Sequence, residues 1–150
     1  MNFNPKQIGK NVDKWHVDTL RFDYVRFVTD STKNQGGQFQ YFKGNKEEMA
    51  AFKKAGQEVP SERIIYPAMP SPGYAVLKQG DLVVHQAKWL TAPGERITMV
   101  NGYLPYDSCF PDYSRFDKLC NADPEDVVTT EYSERVAVLA NRFLEQNLVK

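Results

Sequence analysis

The sequence predicts a mainly β protein, organised as a sandwich, jelly roll or barrel, with one short inserted helix and one C-terminal helix. Two observations predict this class. Between residues 21 and 103, short segments rich in Val, Ile, Phe and Tyr alternate with turns that contain Gly or Pro. A helical spacing of apolar residues appears only near 45–56 and again after Pro124.

The predicted strands follow one another along the chain. We expect one strand to end at His16, and further strands to span 21–29, 38–42, 63–67, 74–77, 82–85 and 96–103. Each of these segments is enriched in β-branched or aromatic residues, which suit a pleated sheet. The intervening "STKNQGG", "SPG", "KQGD" and "TAPGE" supply the Gly, Pro, Asn and Ser residues that turns need.

Two helices are predicted, and each has its own signal. Asn45 is placed to cap the first helix, Glu48 stands three residues later as a capping-box partner, and Gly56 ends the helix. Pro124 is expected in the first turn of the second helix, which carries an apolar stripe. We expect this second helix to pack across the outside of the β core.

Size and composition narrow the class of protein. At 150 residues we expect a single domain over 1–150, and the 19 basic and 19 acidic residues cancel without forming blocks, which argues against nucleic-acid and membrane partners. No apolar run approaches the ~20 residues of a membrane span, and residues 1–10 have no signal-peptide core. Cys109 and Cys120 lack a CxxC spacing, so a cytoplasmic location is expected, with one bridge between them left open.

The two histidines of the chain form a pattern with one acidic and one basic residue. His16 and Asp18 share a face if they lie on a strand, His85 ends an apolar segment, and Arg96 follows eleven residues later. Two imidazoles and one carboxylate are the ligands of the facial triad that binds Fe(II). An H-x-D pair alone is weak, and a lone histidine is more often structural. The joint pattern predicts a metal site, beside which an arginine fork can hold a carboxylate.

The segments around these residues resemble the Fe(II)- and 2-oxoglutarate-dependent dioxygenases, in particular the small-molecule and prolyl-hydroxylase-like members. "WHVDTLRFDYVRFVTD" resembles their first metal-binding segment, "QGGQFQYF" their Gly-Gly strand, and "PGYAVLKQGDLVVHQAKWLTAPGERITMVNGY" their distal His-to-Arg segment. The resemblance covers residues 11–105 and implies a double-stranded β-helix, a distorted cupin-like jelly roll. It also implies oxidation of a small-molecule C–H bond with Fe(II) and O2, while 2-oxoglutarate becomes succinate and CO2. Hydroxylation is the expected outcome, and desaturation or ring formation stays open because it needs only a different placement of the substrate.

The resemblance assigns roles by position. It implies that His16, Asp18 and His85 bind the iron and that Arg96 pairs with the C5 carboxylate of 2-oxoglutarate.

Other positions have weaker support. Thr98 stands where related proteins use a hydroxyl to support that carboxylate, although an ordinary β-branched strand residue is an equal interpretation. Tyr24 and Tyr41 are candidates for a hydrogen bond to the co-substrate, with core packing as the alternative. Asn101 and Tyr103 are candidates for the substrate pocket.

The main departure from the family pattern lies before the first motif. Only fifteen residues precede His16, whereas the resemblance implies a substantial section of helices and strands there. A compact member, a truncated form, and a partner that covers the sheet edge, such as a second copy in a homodimer, all stay open.

Two other functions also stay open. A cupin-like metalloprotein, either an isomerase or a ligand-binding protein, uses the same scaffold without 2-oxoglutarate, and Arg96 argues against it because such a protein needs no carboxylate fork. A noncatalytic interaction domain with an accidental triad would bind no stoichiometric metal.

Overall fold

The computed structural model describes residues 2–3, 14–69, 71–103, 106–107, 114–121 and 123–148, with only the backbone described for 2, 3 and 118. These residues form two small antiparallel sheets and a C-terminal helix, which confirms the mainly β prediction. The chain divides into two compact units, Met1–Tyr103 and Leu104–Lys150. The first unit carries every candidate site residue, and the expectation of one domain over 1–150 stays a prediction.

Within the described residues the secondary structure runs as follows. The strands are β1 (Asn2–Phe3), β2 (Phe22–Phe27), β3 (Phe39–Phe42), β4 (Ile64–Ile65), β5 (Ala75–Lys78), β6 (His85–Ala87) and β7 (Arg96–Tyr103). The helices are α1 (Lys46–Ala55), α2 (Phe116–Leu119) and α3 (Glu125–Asn147).

The larger sheet has the strand order β1-β7-β2-β5, and its pairings are antiparallel. In this register Asp23 lies opposite Lys78 of β5, and Val25 lies opposite Val100 of β7. Because alternate residues of a strand point to the same face, Asp23, Val25 and Phe27 share one face of β2. Asp23 and Phe27 are buried there, so this is the inner face of the sheet.

The smaller sheet has the order β4-β3-β6 and carries the core cluster of the first unit. Phe42 of β3, Met49 of α1 and Val84 are buried against one another. The ring of Phe52 meets that of Phe42 edge to face, at 6.1 Å between centroids. Helix α1 is therefore held on this sheet by its apolar face.

The capping signals predicted for α1 are confirmed. The Asn45 side chain accepts a hydrogen bond from the backbone N–H of Glu48 at 2.8 Å, and the Glu48 carboxylate accepts from the N–H of Asn45 at 3.0 Å. Gly56 ends the helix with a φ of 63°. That left-handed conformation favours glycine, because a side chain there would approach the backbone.

Several boundaries differ from the sequence predictions, and three of the differences have a clear physical reason. The predicted bounds of the strand 82–85 are wrong. The amides of Leu82 and Val83 donate to the carbonyl of Gln79 and form a turn, so the strand β6 begins only at His85. No strand ends at His16, whose backbone forms only an isolated bridge. Pro124 caps α3 from the preceding position instead of lying inside its first turn.

In the second unit, the ring of Phe116 in α2 packs edge to face against Tyr132 of α3, at 5.7 Å between centroids. Among the residues that the structure describes, no helix combines the length and the apolar character that a membrane crossing requires. Cys109 lies outside the described residues, so the alternative of a bridge to Cys120 is not addressed by the structure.

Candidate metal centre

His16 and His85 are joined through their backbones. The N–H of His16 donates to the carbonyl of His85 at 3.0 Å, and the N–H of His85 donates to the carbonyl of His16 at 2.9 Å. Residues that exchange both bonds in an antiparallel bridge present their side chains to the same side. The two rings accordingly lie 4.4 Å apart, centroid to centroid.

Asp18 completes the cluster from the same segment as His16. Its N–H donates to the carbonyl of Gly80 at 2.8 Å, which anchors the residue beside the turn before β6. Oδ1 of Asp18 lies 3.4 Å from Nε2 of His16, and Oδ2 lies 3.4 Å from Nε2 of His85. One ligand atom from each of the three side chains lies within 4.8 Å of the others, which is compatible with a bound metal ion.

The orientation of both rings suits metal binding. Nδ1 of His16 lies 2.7 Å from the carbonyl of Lys14, and Nδ1 of His85 lies 2.8 Å from the carbonyl of Val83. A carbonyl only accepts, so each Nδ1 carries the proton and donates it. In the neutral ring the lone pair is then on Nε2, the atom that points at Asp18. Metal-binding histidines are commonly fixed by such a hydrogen bond on the other nitrogen.

A glycine makes room for this arrangement. A Cβ atom on Gly80 would stand 2.9 Å from both Cβ and Oδ2 of Asp18, and it would also collide with the carboxylate of Asp23. Any side chain at position 80 would therefore push the two carboxylates out of place.

Lys78 and Asp23 belong to the cluster, and the sequence reasoning missed both. The ammonium of Lys78 donates to Oδ2 of Asp18 and to Nε2 of His85, the latter at 2.7 Å, and its Nζ lies 3.4 Å from Oδ1 of Asp23. The side chains of Lys78 and Asp23 are 8% and 2% exposed. The signal in the sequence was the alternation of Asp23 with Val25 and Phe27. Both faces of β2 carry apolar residues, however, so that alternation did not identify the buried face.

Burial and neighbouring charges set the protonation of these groups. Burial lowers the pKa of His85, which favours its neutral form. Burial also acts to raise the pKa of Asp18, but the neighbouring His16 and Lys78 groups outweigh it and hold that pKa well below its usual range. Burial raises the pKa of Asp23 to about 6, against the opposing pull of Lys78. At neutral pH both carboxylates are therefore mainly ionised.

A cavity of about 210 Å³ opens beside the cluster. Arg96 and Thr98 of β7 line it together with the three candidate ligands, and both are buried, at 7% and 3% exposed. The remaining lining residues are Val25, Phe39, Lys78, Ala87 and Val100. The structure thus brings the predicted carboxylate-binding residues to the predicted metal ligands.

The Gly-Gly segment packs close to Arg96, one of the residues that line this cavity. Gly36 and Gly37 have φ values of 77° and 71°, in the region that glycine favours. The N–H of Gly37 donates to the carbonyl of Trp89 at 2.8 Å, which holds the segment against the chain between β6 and β7. A Cβ on Gly37 would meet Leu90 at 2.8 Å and the Arg96 side chain at 3.5 Å. The glycine therefore allows the backbone to pass close to Arg96.

The tyrosine candidates are placed differently. Tyr24 alternates with Val25 and so points away from the cavity, with its ring 5.7 Å from that of Tyr103. Tyr41 lies opposite His85 in the ladder and shares its face of the sheet, but it does not line the cavity. Asn101 and Tyr103 do not line it either, because the cavity-facing residues of β7 are those in phase with Arg96.

The donor set fits a metal ion. Two imidazole nitrogens and a carboxylate converge, and a cation, the Lys78 ammonium, is already bound by two of the three candidate ligands. Three protein ligands on one side of an ion leave further coordination positions open, as in non-haem iron sites. Comparisons with protein-family models, with curated proteins and with solved structures find no match to this chain.

Proposed function

We propose that this protein is a non-haem Fe(II)- and 2-oxoglutarate-dependent dioxygenase that hydroxylates a C–H bond of a small-molecule substrate. One observation carries the proposal: Nε2 of His16, the Asp18 carboxylate and Nε2 of His85 converge beside a cavity lined by buried Arg96. In the same proposal, the two sheets are the two halves of a double-stranded β-helix.

The charges of the cluster favour a dianionic co-substrate. Asp18 and Asp23 carry two negative charges that Lys78 and Arg96 balance. A divalent metal would add two positive charges to this largely buried group, and uncompensated buried charge is costly. 2-Oxoglutarate carries two carboxylates and restores neutrality. In a metalloprotein without an anionic co-substrate, the two positive charges that the metal adds would stay uncompensated.

The residues of the chain then have distinct roles. His16, Asp18 and His85 would hold the iron. Arg96 would bind the far carboxylate of 2-oxoglutarate with its planar fork, because a guanidinium matches a carboxylate in two parallel hydrogen bonds.

The remaining lining residues shape the pocket around the co-substrate. Thr98, two residues from Arg96 on the same face of β7, also lines the cavity, and its hydroxyl would support that carboxylate. Phe39, Val25 and Val100 form an apolar wall that excludes water. Iron and 2-oxoglutarate would supply the oxidising chemistry, in which O2 is activated as 2-oxoglutarate loses CO2 and becomes succinate.

The experiment that tests this function is an anaerobic titration of the metal-free chain with Fe(II) and then with 2-oxoglutarate. We expect one equivalent of Fe(II) to bind and a weak visible charge-transfer absorption to develop when 2-oxoglutarate is added. Asp18→Asn should abolish both steps, whereas Glu47→Gln, the same chemical change on an exposed residue of α1, should leave both intact.

Each other outcome of the titration supports a different function for this protein. If Fe(II) binds and 2-oxoglutarate produces no absorption, the dioxygenase proposal is wrong and a cupin-like metalloprotein is supported. If Fe(II) does not bind, the triad is not a metal site and an interaction domain is supported. The expected cytoplasmic location and homodimer stay predictions.

A further inference from the structure

Lys78 occupies the place where the ligand atoms converge. Its ammonium donates to Oδ2 of Asp18 and, at 2.7 Å, to Nε2 of His85. Both acceptors are members of the candidate metal-binding set. In the described structure a built-in cation therefore neutralises the site.

A metal ion and this ammonium compete for the same atoms. A neutral imidazole has a single lone pair on Nε2, because Nδ1 of His85 carries the proton that it donates to the Val83 carbonyl. That lone pair accepts either the hydrogen bond from Lys78 or the bond to a metal. Two cations so close together would also repel strongly in a buried site. Metal binding therefore requires Lys78 to leave.

Asp23 provides the nearby alternative partner. It lies directly opposite Lys78 across the β2–β5 ladder, and Nζ of Lys78 is already 3.4 Å from its Oδ1. Asp23 is 2% exposed, and neither of its carboxylate oxygens has a hydrogen-bond partner within the described residues. A buried carboxylate without hydrogen bonds is costly, so it would accept the ammonium after a small movement of the lysine side chain.

We propose that Lys78 is a built-in competitor of the metal, holding Asp18 and His85 in the metal-free chain and moving onto Asp23 when a divalent metal binds. This inference rests on the proposed function only in that the site binds a divalent metal. It assigns to Asp23 the role of a positioning residue that receives Lys78.

The test is a double-mutant cycle on metal affinity, measured by calorimetry with Co(II) as an air-stable substitute for Fe(II). Lys78→Met removes the competitor and should tighten Co(II) binding by about tenfold. Asp23→Asn removes the receiving carboxylate and should weaken binding by a similar factor. In the Lys78→Met background the same Asp23→Asn change should alter Co(II) affinity much less, because there is then no displaced ammonium for Asp23 to accept.

The cycle separates this role from simple charge effects. If Asp23 acted on the metal only through its own charge, Asp23→Asn would weaken binding equally in both backgrounds, and that result would overturn the role of Asp23. Unchanged or weaker Co(II) binding in Lys78→Met would overturn the competition itself. Lys43→Met, which removes an exposed lysine, is the matched control and should leave the affinity unchanged.

Three further outcomes keep the test decisive. If Lys78→Met alone does not fold, comparing the double variant, which loses both members of the buried pair, with Asp23→Asn measures the removal of Lys78 where no receiving carboxylate exists, and Co(II) affinity should then rise by about 100-fold. If Co(II) binds with the expected pattern but 2-oxoglutarate produces no absorption with Fe(II), the dioxygenase proposal is overturned and the inference about Lys78 is supported. If no form binds Co(II), both are overturned.

Discussion

His16 and His85 face each other across one reciprocal pair of backbone hydrogen bonds, although four strands and a helix separate them in the chain. The segment that carries His16 and Asp18 is not a strand, and its backbone is attached at His16 and, through Asp18, at Gly80. The geometry of the candidate metal centre therefore depends on a few bonds between the segment before β2 and the start of β6.

The role of Arg96 is tested by Arg96→Lys. Lysine keeps the charge but loses the planar fork, so we expect 2-oxoglutarate affinity to fall by about 10–100-fold, the equivalent of one strong charge-assisted hydrogen bond. Fe(II) affinity should stay unchanged, because Arg96 is not a metal ligand. Titration of the charge-transfer absorption measures the 2-oxoglutarate affinity, and calorimetry measures the Fe(II) affinity. Arg26→Lys, on the exposed side of β2, is the control, and an unchanged 2-oxoglutarate affinity in Arg96→Lys would contradict the assignment.

The close approach at Gly80 is tested by Gly80→Ala. The new Cβ would stand 2.9 Å from Oδ2 of Asp18 and would collide with the Asp23 carboxylate, so Asp18 must move. We expect metal affinity to fall on the order of tenfold and the free energy of unfolding to fall by about 1–3 kcal/mol, as for other overpacked sites. Gly94→Ala, which crowds only the Asn34 side chain at similar range, should leave metal affinity unchanged. Equal metal affinities in Gly80→Ala and the parent chain would show that Asp18 is not held by this contact.

The packing under the Gly-Gly segment is tested by Leu90→Ala. Leu90 is 0% exposed, and the deletion of a buried leucine side chain leaves a cavity, so the free energy of unfolding should fall by about 2–5 kcal/mol. Leu77→Ala makes the same chemical change at a side chain that is 68% exposed, and it should cost less than about 0.5 kcal/mol. Chemical denaturation of the metal-free chain measures both, and similar losses in the two variants would contradict the assigned burial.

The capping of α1 predicts a pH dependence. The Arg63 guanidinium, together with the backbone N–H of Asn45, holds the pKa of Glu48 below its usual value of 4.5. A carboxylate whose pKa is lowered by folding stabilises the fold above its unfolded pKa and loses that contribution as the pH falls through the folded pKa. The Tm of Glu48→Gln should therefore lie below that of the parent chain at neutral pH, and the gap should close as the pH falls below the usual pKa of a glutamate.

A neighbouring residue provides the control for this prediction. Glu47 is exposed in the same first turn of α1, and Glu47→Gln keeps the capping box and the Arg63–Glu48 ion pair, so its Tm at neutral pH should stay closer to that of the parent chain than the Tm of Glu48→Gln. A gap for Glu48→Gln that stays constant from neutral to acidic pH would show that the ionised carboxylate is not the stabilising form.

Parts of the candidate site were predictable because their residue types are rare in this chain or because their spacing along the sequence is short. The chain has only two histidines, and both fall at motif positions, so His16, Asp18, His85 and Arg96 were identified before any fold was known. Lys78 was not, because a lysine next to a Gln-Gly turn has the composition of a surface strand end. Its burial follows from the pairing of β5 with β2, which local sequence does not reveal.

The sequence by itself determined the mainly β class, the capped helix α1, and the identity of the three candidate ligands with their arginine. These depend on residue type and on periodicities of a few positions, which act within a single element. Only the tertiary structure decided that β6 begins at His85, that Tyr24 points away from the cavity, and that Lys78 and Asp23 stand beside the ligands. The physical reason is that strand register and the buried face of a sheet are set by partners distant in the chain, and a shift of one residue turns every side chain to the other face.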